Sequence, residues 1–254
     1  MLLAIDAGNS NIVVGLIENE KIIKVFRVST DPSKTEDEYL IAFRQLMDVG
    51  NVDYKKIDGA IVCSVVPPIK SALTGAVKKL TGIDPLIVGA GLNTGLTIDI
   101  DNPAQLGSDL IADAVAAASD YALPAVVIDM GTATTISVVG RDSRYLGGVI
   151  VPGLRLALNA LSSNTSQLPK VSIEVPGSCI GRNTVDCMKS GSIFGAAAMM
   201  DGMIERIEDE IGEKATVIAT GGLAQYVVPN CRREIIYDEN LLLRGLDRLY
   251  NMNK

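Results

Sequence analysis

The run Ala125-Val126-Val127-Ile128-Asp129-Met130-Gly131-Thr132-Ala133-Thr134-Thr135-Ile136 joins a short apolar stretch to an acid, a glycine and small hydroxyl residues. An apolar run bounded by turn residues reads as a buried strand. A carboxylate at its end, followed by a glycine turn, suits a ligand site. Glycine lets the backbone come close to a ligand, and N–H groups in such a turn can cradle an anion. The same design opens the chain. Leu2 to Val13 reads Leu-Leu-Ala-Ile-Asp-Ala-Gly-Asn-Ser-Asn-Ile-Val, with Asp6 and Gly8 in the places of Asp129 and Gly131. Both copies run on into apolar, β-branched residues and so predict strand–turn–strand hairpins. Asp6 and Asp129 lie 123 residues apart, about half the chain. The expectation is two similar halves, 1–118 and 119–254, that present their acids and glycine turns to a shared cleft.

Composition supports an α/β chain. Its 254 residues are 48% hydrophobic, with few aromatics and no tryptophan. The core must then be aliphatic, which suits sheets covered by helices. The net charge of −7 and the lack of a basic cluster argue against nucleic acid as a partner. No run approaches the roughly 18 apolar residues of a membrane helix. The first residues meet Asp6 at once and lack a basic leader, so a cytoplasmic protein away from membranes is expected. The four cysteines, Cys63, Cys179, Cys187 and Cys231, form no CxxC pair and read as reduced thiols. Histidine is absent, which removes Ser-His-Asp and Cys-His catalysis and histidine metal sites. Any general base must be a carboxylate, Lys, Tyr or Cys.

Between the hairpins, Lys21 to Val28 predicts a strand. Thr35-Glu36-Asp37-Glu38 is a capping box that opens a helix to about Asp48. Ile57 to Val65 predicts a strand, and Pro67-Pro68 a helix start. Gly89 to Gly95 lacks the G-x-G-x-x-G spacing and precedes an extended stretch, so it is not a dinucleotide loop. Gly107 to Ser119 predicts an Ala-rich helix carrying Asp109 and Asp113. Asn183 to Ile211 predicts a long helix, Ala215 to Thr220 a strand, and Leu241 to Tyr250 a closing amphipathic helix. Ala219-Thr220-Gly221-Gly222-Leu223 ends its strand in two glycines, a flat backbone surface on which an adenine could lie.

The ordered triple at 6–11, 129–132 and 219–223 resembles the actin, sugar-kinase and heat-shock-chaperone ATPase superfamily. That resemblance implies an α/β fold of two ribonuclease-H-like domains. The chain is more closely similar to the type III pantothenate kinases. The matching pieces are Ile5 to Asn11, Lys34 to Glu38, Ser64 to Pro68, Asp101-Asn102-Pro103, Asp129 to Thr135, Gly147-Gly148, Gly181 to Val185 and Ala219 to Leu223. They span nearly the whole chain, in order.

The resemblance implies ATP-dependent phosphorylation of pantothenate, the first step of coenzyme A synthesis. It implies that Asp6, Ala7, Gly8, Asn9, Ser10, Asn11, Ile12, Val13 and Thr132 hold the ATP phosphates, with Gly221 and Gly222 under the base. Asp6 would organise Mg²⁺ through water, since Mg²⁺ gives up its waters reluctantly. Asp129 would help hold a monovalent cation, K⁺ or NH₄⁺. Asp109 would be the catalytic base. Ile100, Gly107, Ser108, Asp109, Leu110 and Thr184 would face the acceptor, near the interface of a homodimer. Two positions depart from the family pattern: Leu110 replaces an arginine, the natural partner of the pantothenate carboxylate, and Ile100 replaces a tyrosine. These changes leave two further readings open. One is a same-fold kinase acting on another small alcohol. The other is a non-catalytic nucleotide-binding regulator.

Overall fold

The computed structural model describes residues 1–254, and two sheets organise it. The elements run β1 (Leu2–Ala7), β2 (Asn11–Glu18), β3 (Lys21–Ser29), α1 (Glu36–Val49), β4 (Gly59–Ser64), α2 (Pro67–Thr81), β5 (Leu86–Ile87), β6 (Thr97–Ile98), α3 (Ser108–Asp120), β7 (Ala125–Met130), β8 (Ala133–Val139), β9 (Arg144–Pro152), α4 (Leu154–Ser163), α5 (Thr184–Ile211), β10 (Thr216–Thr220), α6 (Ala224–Val227), β11 (Ile236–Tyr237) and α7 (Leu241–Asn253).

The first sheet has the order β3-β2-β1-β4-β5. The second has the order β11-β10-β7-β8-β9-β6. Read from its other edge and without β6, the second sheet repeats the first. In each, an antiparallel meander of three strands is followed by parallel pairing of the first strand with a later one. The duplicated hairpin therefore marks a duplicated topology.

Side-chain alternation then assigns the faces. In the first unit, Leu3, Ile5 and Ala7 of β1 point into a core with Tyr39 and Phe43 of α1 and Ile69 and Leu73 of α2. Leu2 and Ala4, with Ile61 and Cys63 of β4, point to the opposite core. That core holds Ile111 and Val115 of α3 and Leu243, Leu246 and Leu249 of α7. The capping box forms as the sequence predicts: Thr35 N–H donates to Glu38 at 2.7 Å, and Glu38 N–H to Thr35 Oγ1 at 3.4 Å.

The compact units are Met1–Leu96, Asp101–Ala116 and Leu241–Lys254 on one side and Thr97–Ile100 and Ala117–Asn240 on the other. They do not follow chain order. The closing helix α7 belongs with β1 and β4 because its leucine face completes the core behind them. A Cβ at Gly245 would overlap the Ala112 carbonyl, so α7 and α3 meet backbone to backbone. In the second unit, Val126, Ile128 and Met130 of β7 pack with Ile193, Ala197 and Met200 of α5. The decoy glycine stretch is an open turn, with Gly91 and Gly95 at positive φ, and leads into a strand rather than a helix.

Candidate active site

Asp6 is the penultimate residue of β1 and Asp129 the penultimate residue of β7, and both strands show the same burial sequence. Each acid stands at the half-buried position before the turn. By alternation, Asp6 shares its face with Leu2 and Ala4, the face covered by α3. Its register partner on β4 is Cys63. The Cys63 thiol is wholly buried and pushed well up, first by burial and then by the negative charges of Asp6, Asp109 and Asp113. The structure thus gathers Asp6 and Asp109 around one residue of β4.

Asp109 lies in the first turn of α3. Its Oδ1 accepts the Leu110 N–H at 2.8 Å. Burial raises its pKa, against that hydrogen bond, which lowers it. A carboxylate whose pKa is raised toward neutrality is a better proton acceptor than an exposed aspartate. A Cβ at Gly107 would collide with Asp109 Oδ1, so only glycine leaves room for this rotamer. Ser108 Oγ donates to the Ser64 carbonyl at 3.2 Å and accepts from Cys63 Sγ at 3.2 Å. Leu110 is half-buried and Ile111 begins the buried stripe of the helix.

The turn after β1 closes with Gly8 N–H donating to the Asn11 carbonyl at 3.0 Å. Asn9, Ser10 and Asn11 are exposed, while Ile12 is buried and Val13 half-buried. Exposed backbone and short polar side chains at a strand end can receive phosphate oxygens. Thr30 locks the turn from β3's end: its hydroxyl donates to the Gly8 carbonyl at 2.6 Å and its N–H to the Ser10 carbonyl at 3.1 Å. Sequence reading missed Thr30, because it lies 22 residues from Gly8 and carries no motif.

In the second unit, Thr135, Asp129 and Thr220 form one row across β8, β7 and β10. Cross-strand neighbours in register share a face. Thr135 Oγ1 is buried with no hydrogen-bond partner, an oxygen that a cation beside Asp129 could use. The Gly131-Thr132 turn is exposed. Gly153 backs it, with its N–H on the Thr132 carbonyl at 3.2 Å, and a Cβ there would overlap both turn carbonyls. In the sequence, Pro152-Gly153 reads only as the end of a strand ahead of a helix. Gly221 has φ +86°, and a Cβ there would collide with Asp129 and Met130. Gly222 accepts the Gln225 side-chain amide at 2.9 Å. Ile100 lies beside Gly147, whose Cβ would be 3.8 Å from its Cγ2. Thr184 is exposed at the start of α5, which Asn183 caps by accepting the Asp186 N–H at 2.9 Å.

Two sheets of one topology, each closing a central strand with an aspartate ahead of a glycine turn, define the duplicated ribonuclease-H-like fold of the actin-like class. Solved structures agree on the fold. A ROK family glucokinase from Streptomyces griseus, solved with glucose and AMPPNP, superposes with a TM-score of 0.53 at 14% identity over 99% of this chain and 98% of that one. Component A of the (R)-2-hydroxyglutaryl-CoA dehydratase of Acidaminococcus fermentans gives 0.55 at 11% identity, over 98% and 95%. The sequence comparisons narrow the class. The family model for type III pantothenate kinase matches residues 2–206. Proteins named type III pantothenate kinase from Moorella thermoacetica and Halalkalibacterium halodurans are 42% and 40% identical, over all of this chain and all of theirs. The chain belongs to the type III pantothenate kinase family, whose members are enzymes that use ATP with a divalent metal.

Proposed function

We propose that this chain transfers the γ-phosphoryl group of ATP to the primary hydroxyl of pantothenate, giving 4′-phosphopantothenate, the first committed intermediate of coenzyme A synthesis. The observation that carries the reading is Asp109: a half-buried carboxylate in the first turn of α3, gathered with Asp6 around Cys63, its pKa raised first by burial. Asp109 accepts the hydroxyl proton as the acceptor oxygen bonds to the γ-phosphorus. The bond from that phosphorus to the bridging oxygen breaks and ADP leaves. Phosphoryl transfer depends chiefly on alignment and charge stabilisation.

The chain's own groups are assigned as follows. The turn Ala7 to Val13 and Thr132 hold the phosphates by backbone N–H groups and hydroxyls, and Gly221-Gly222 offers a flat bed to the adenine. Asp6 would hold Mg²⁺ through water, and Asp129, with Thr135 on the same sheet face, would hold K⁺ or NH₄⁺. Bound there, these ions neutralise phosphate charge. Ile100, Gly107, Ser108, Leu110 and Thr184 surround the acceptor. The working unit is a homodimer in the cytoplasm, each subunit carrying two ribonuclease-H-like halves, 1–118 and 119–254, with α7 of the second half packed back on the first. The dimer reading is supported by bare aliphatic side chains in the second unit, among them Ile150 (72% exposed) and Ile180 (82%). No helix is long and apolar enough to cross a membrane.

The test is purified protein with ATP, Mg²⁺, K⁺ and pantothenate. Phosphopantothenate is the expected product. ADP released only with a different alcohol would replace the acceptor, and nucleotide binding without turnover of any alcohol would leave a regulator.

A further inference from the structure

Ser108 stands where the acceptor expectation puts a contact residue, yet its hydroxyl is committed elsewhere. It donates to the Ser64 carbonyl at the end of β4 and accepts the Cys63 thiol, both at 3.2 Å. Cys63 is the register partner of Asp6. One hydroxyl therefore ties the first turn of α3 to the strand beside Asp6. Asp109 Oδ1 turns back onto its own helix at the Leu110 N–H, and the residue ahead of Ser108 is Gly107. Without the tether, the first turn of α3 enters from a glycine with its carboxylate free to drift.

We propose that Ser108 is a positioning residue, whose hydroxyl pins the start of α3 to β4 and so sets where the Asp109 carboxylate stands relative to Asp6. The proposal rests on Asp109 being the base. A displacement of about 1 Å at a reacting group can cost on the order of 100-fold in rate. The raised pKa of Asp109 comes first from burial, so a first turn that shifts and admits water would lower it.

Ser108→Ala is expected to lower kcat about tenfold or more, with KM for ATP within about twofold. The acid limb of its pH–kcat profile moves to lower pH as Asp109 becomes hydrated. Ser108→Thr, which keeps the hydroxyl, restores most of kcat. An unchanged kcat and acid limb in Ser108→Ala overturns the proposal, as does a raised acceptor KM at unchanged kcat, which would mean direct acceptor contact. If Ser108→Ala does not fold, Ser108→Cys carries the test, since it keeps the side-chain size and replaces the hydroxyl by a thiol that donates and accepts only weakly. Lower kcat at constant ATP KM then supports positioning, and unchanged kcat overturns it. Asp109→Asn is measured alongside. If that variant turns over normally, the base assignment fails and positioning with it. If it is dead while Ser108→Ala is normal, only the positioning role fails.

Discussion

A Cβ on Gly221 would stand 2.7 Å from Asp129 Oδ1 and 2.7 Å from the Met130 carbonyl oxygen. The third glycine signal of the sequence is thus packed directly on the acid of the second hairpin. Its φ of +86° adds a separate constraint, because a left-handed residue with a side chain costs about 1–2 kcal/mol. The Met130 oxygen is backbone and cannot swing aside. Gly221→Ala is expected to lose about 2 kcal/mol or more, a fall in Tm of roughly 4–8 °C for a chain of this size. ATP should then protect the variant from thermal unfolding less than it protects the parent. An unchanged Tm would mean that the turn is looser than the contact implies.

Asp129 supplies the only charge in the row Thr135–Asp129–Thr220. Removing a charge-assisted contact costs about 1.5–3 kcal/mol, roughly ten- to a hundred-fold in affinity. Asp129→Ala should raise the K⁺ concentration for half-maximal activity by that factor. A potassium titration that overlays the parent's would sink the assignment.

The sequence made the duplication visible because each hairpin is local: acid, glycine and β-branched run lie within a dozen residues, and the mirrored sheet orders follow from them. What stayed hidden depends on contacts between distant segments. The α7 leucines return to Leu2, Ala4 and Ile61 across almost the whole chain. Spacing alone cannot report that, so a division at 118 and 119 does not coincide with the compact units. Cys63 read only as one of four reduced thiols, and its contact with Ser108 spans 45 residues. Thr30 and Gly153 support their turns from outside any motif.

Glu208 shows how the second unit holds a charge. Its carboxylate is 3% exposed and accepts Lys214 Nζ at 2.6 Å, Arg233 Nη2 at 2.7 Å and the Ala215 N–H at 3.0 Å. Burial alone would raise its pKa; these donors outweigh burial and hold it below 4.5. The folded state therefore binds this proton less readily than the unfolded chain. Its stabilisation is full above the ordinary glutamate value and is lost as pH falls through the lower folded one. Glu208→Ala orphans a buried N–H and should cost about 1–3 kcal/mol near pH 7. Urea unfolding should show that gap narrowing as pH drops below 4.5. A gap that persists into strong acid would point to lost packing instead.

Asp109 has the opposite sign. Burial raises its pKa above 3.8, so the folded state binds the proton more readily than the unfolded chain. The stability it contributes is full below the unfolded value and is lost as pH rises through the folded one. At pH 7 the charged carboxylate is a cost to folding. Asp109→Asn should raise Tm at pH 7, by an amount that shrinks toward pH 3, while turnover falls about 100- to 10,000-fold. ATP binding should persist. In the parent, the acid limb of activity should have its midpoint above 3.8. Stability and turnover moving in opposite directions would separate a functional carboxylate from a helix cap, because loss of a cap lowers Tm.

Leu110 offers a gain rather than a loss. It follows the base directly, is half-buried, and presents a hydrocarbon where the family pattern implies a guanidinium. The charges that act on Cys63, behind the first turn of α3, are those of Asp6, Asp109 and Asp113, all negative. A carboxylate-bearing acceptor meets repulsion there unless a cation offsets it. Leu110→Arg introduces a planar fork of donors suited to a carboxylate. One charge-assisted hydrogen bond is worth about 1.5–3 kcal/mol, so KM for pantothenate should fall roughly ten- to a hundred-fold, with KM for ATP unchanged. An analogue whose carboxylate is replaced by hydroxymethyl separates charge from packing. Its kcat/KM should be nearly the same in parent and variant, so that discrimination in favour of pantothenate widens by the same factor. If both acceptors change equally, the arginine acts through packing at the start of α3. If neither changes, the acceptor carboxylate is held away from residue 110, and Arg182→Ala becomes the substitution that raises KM.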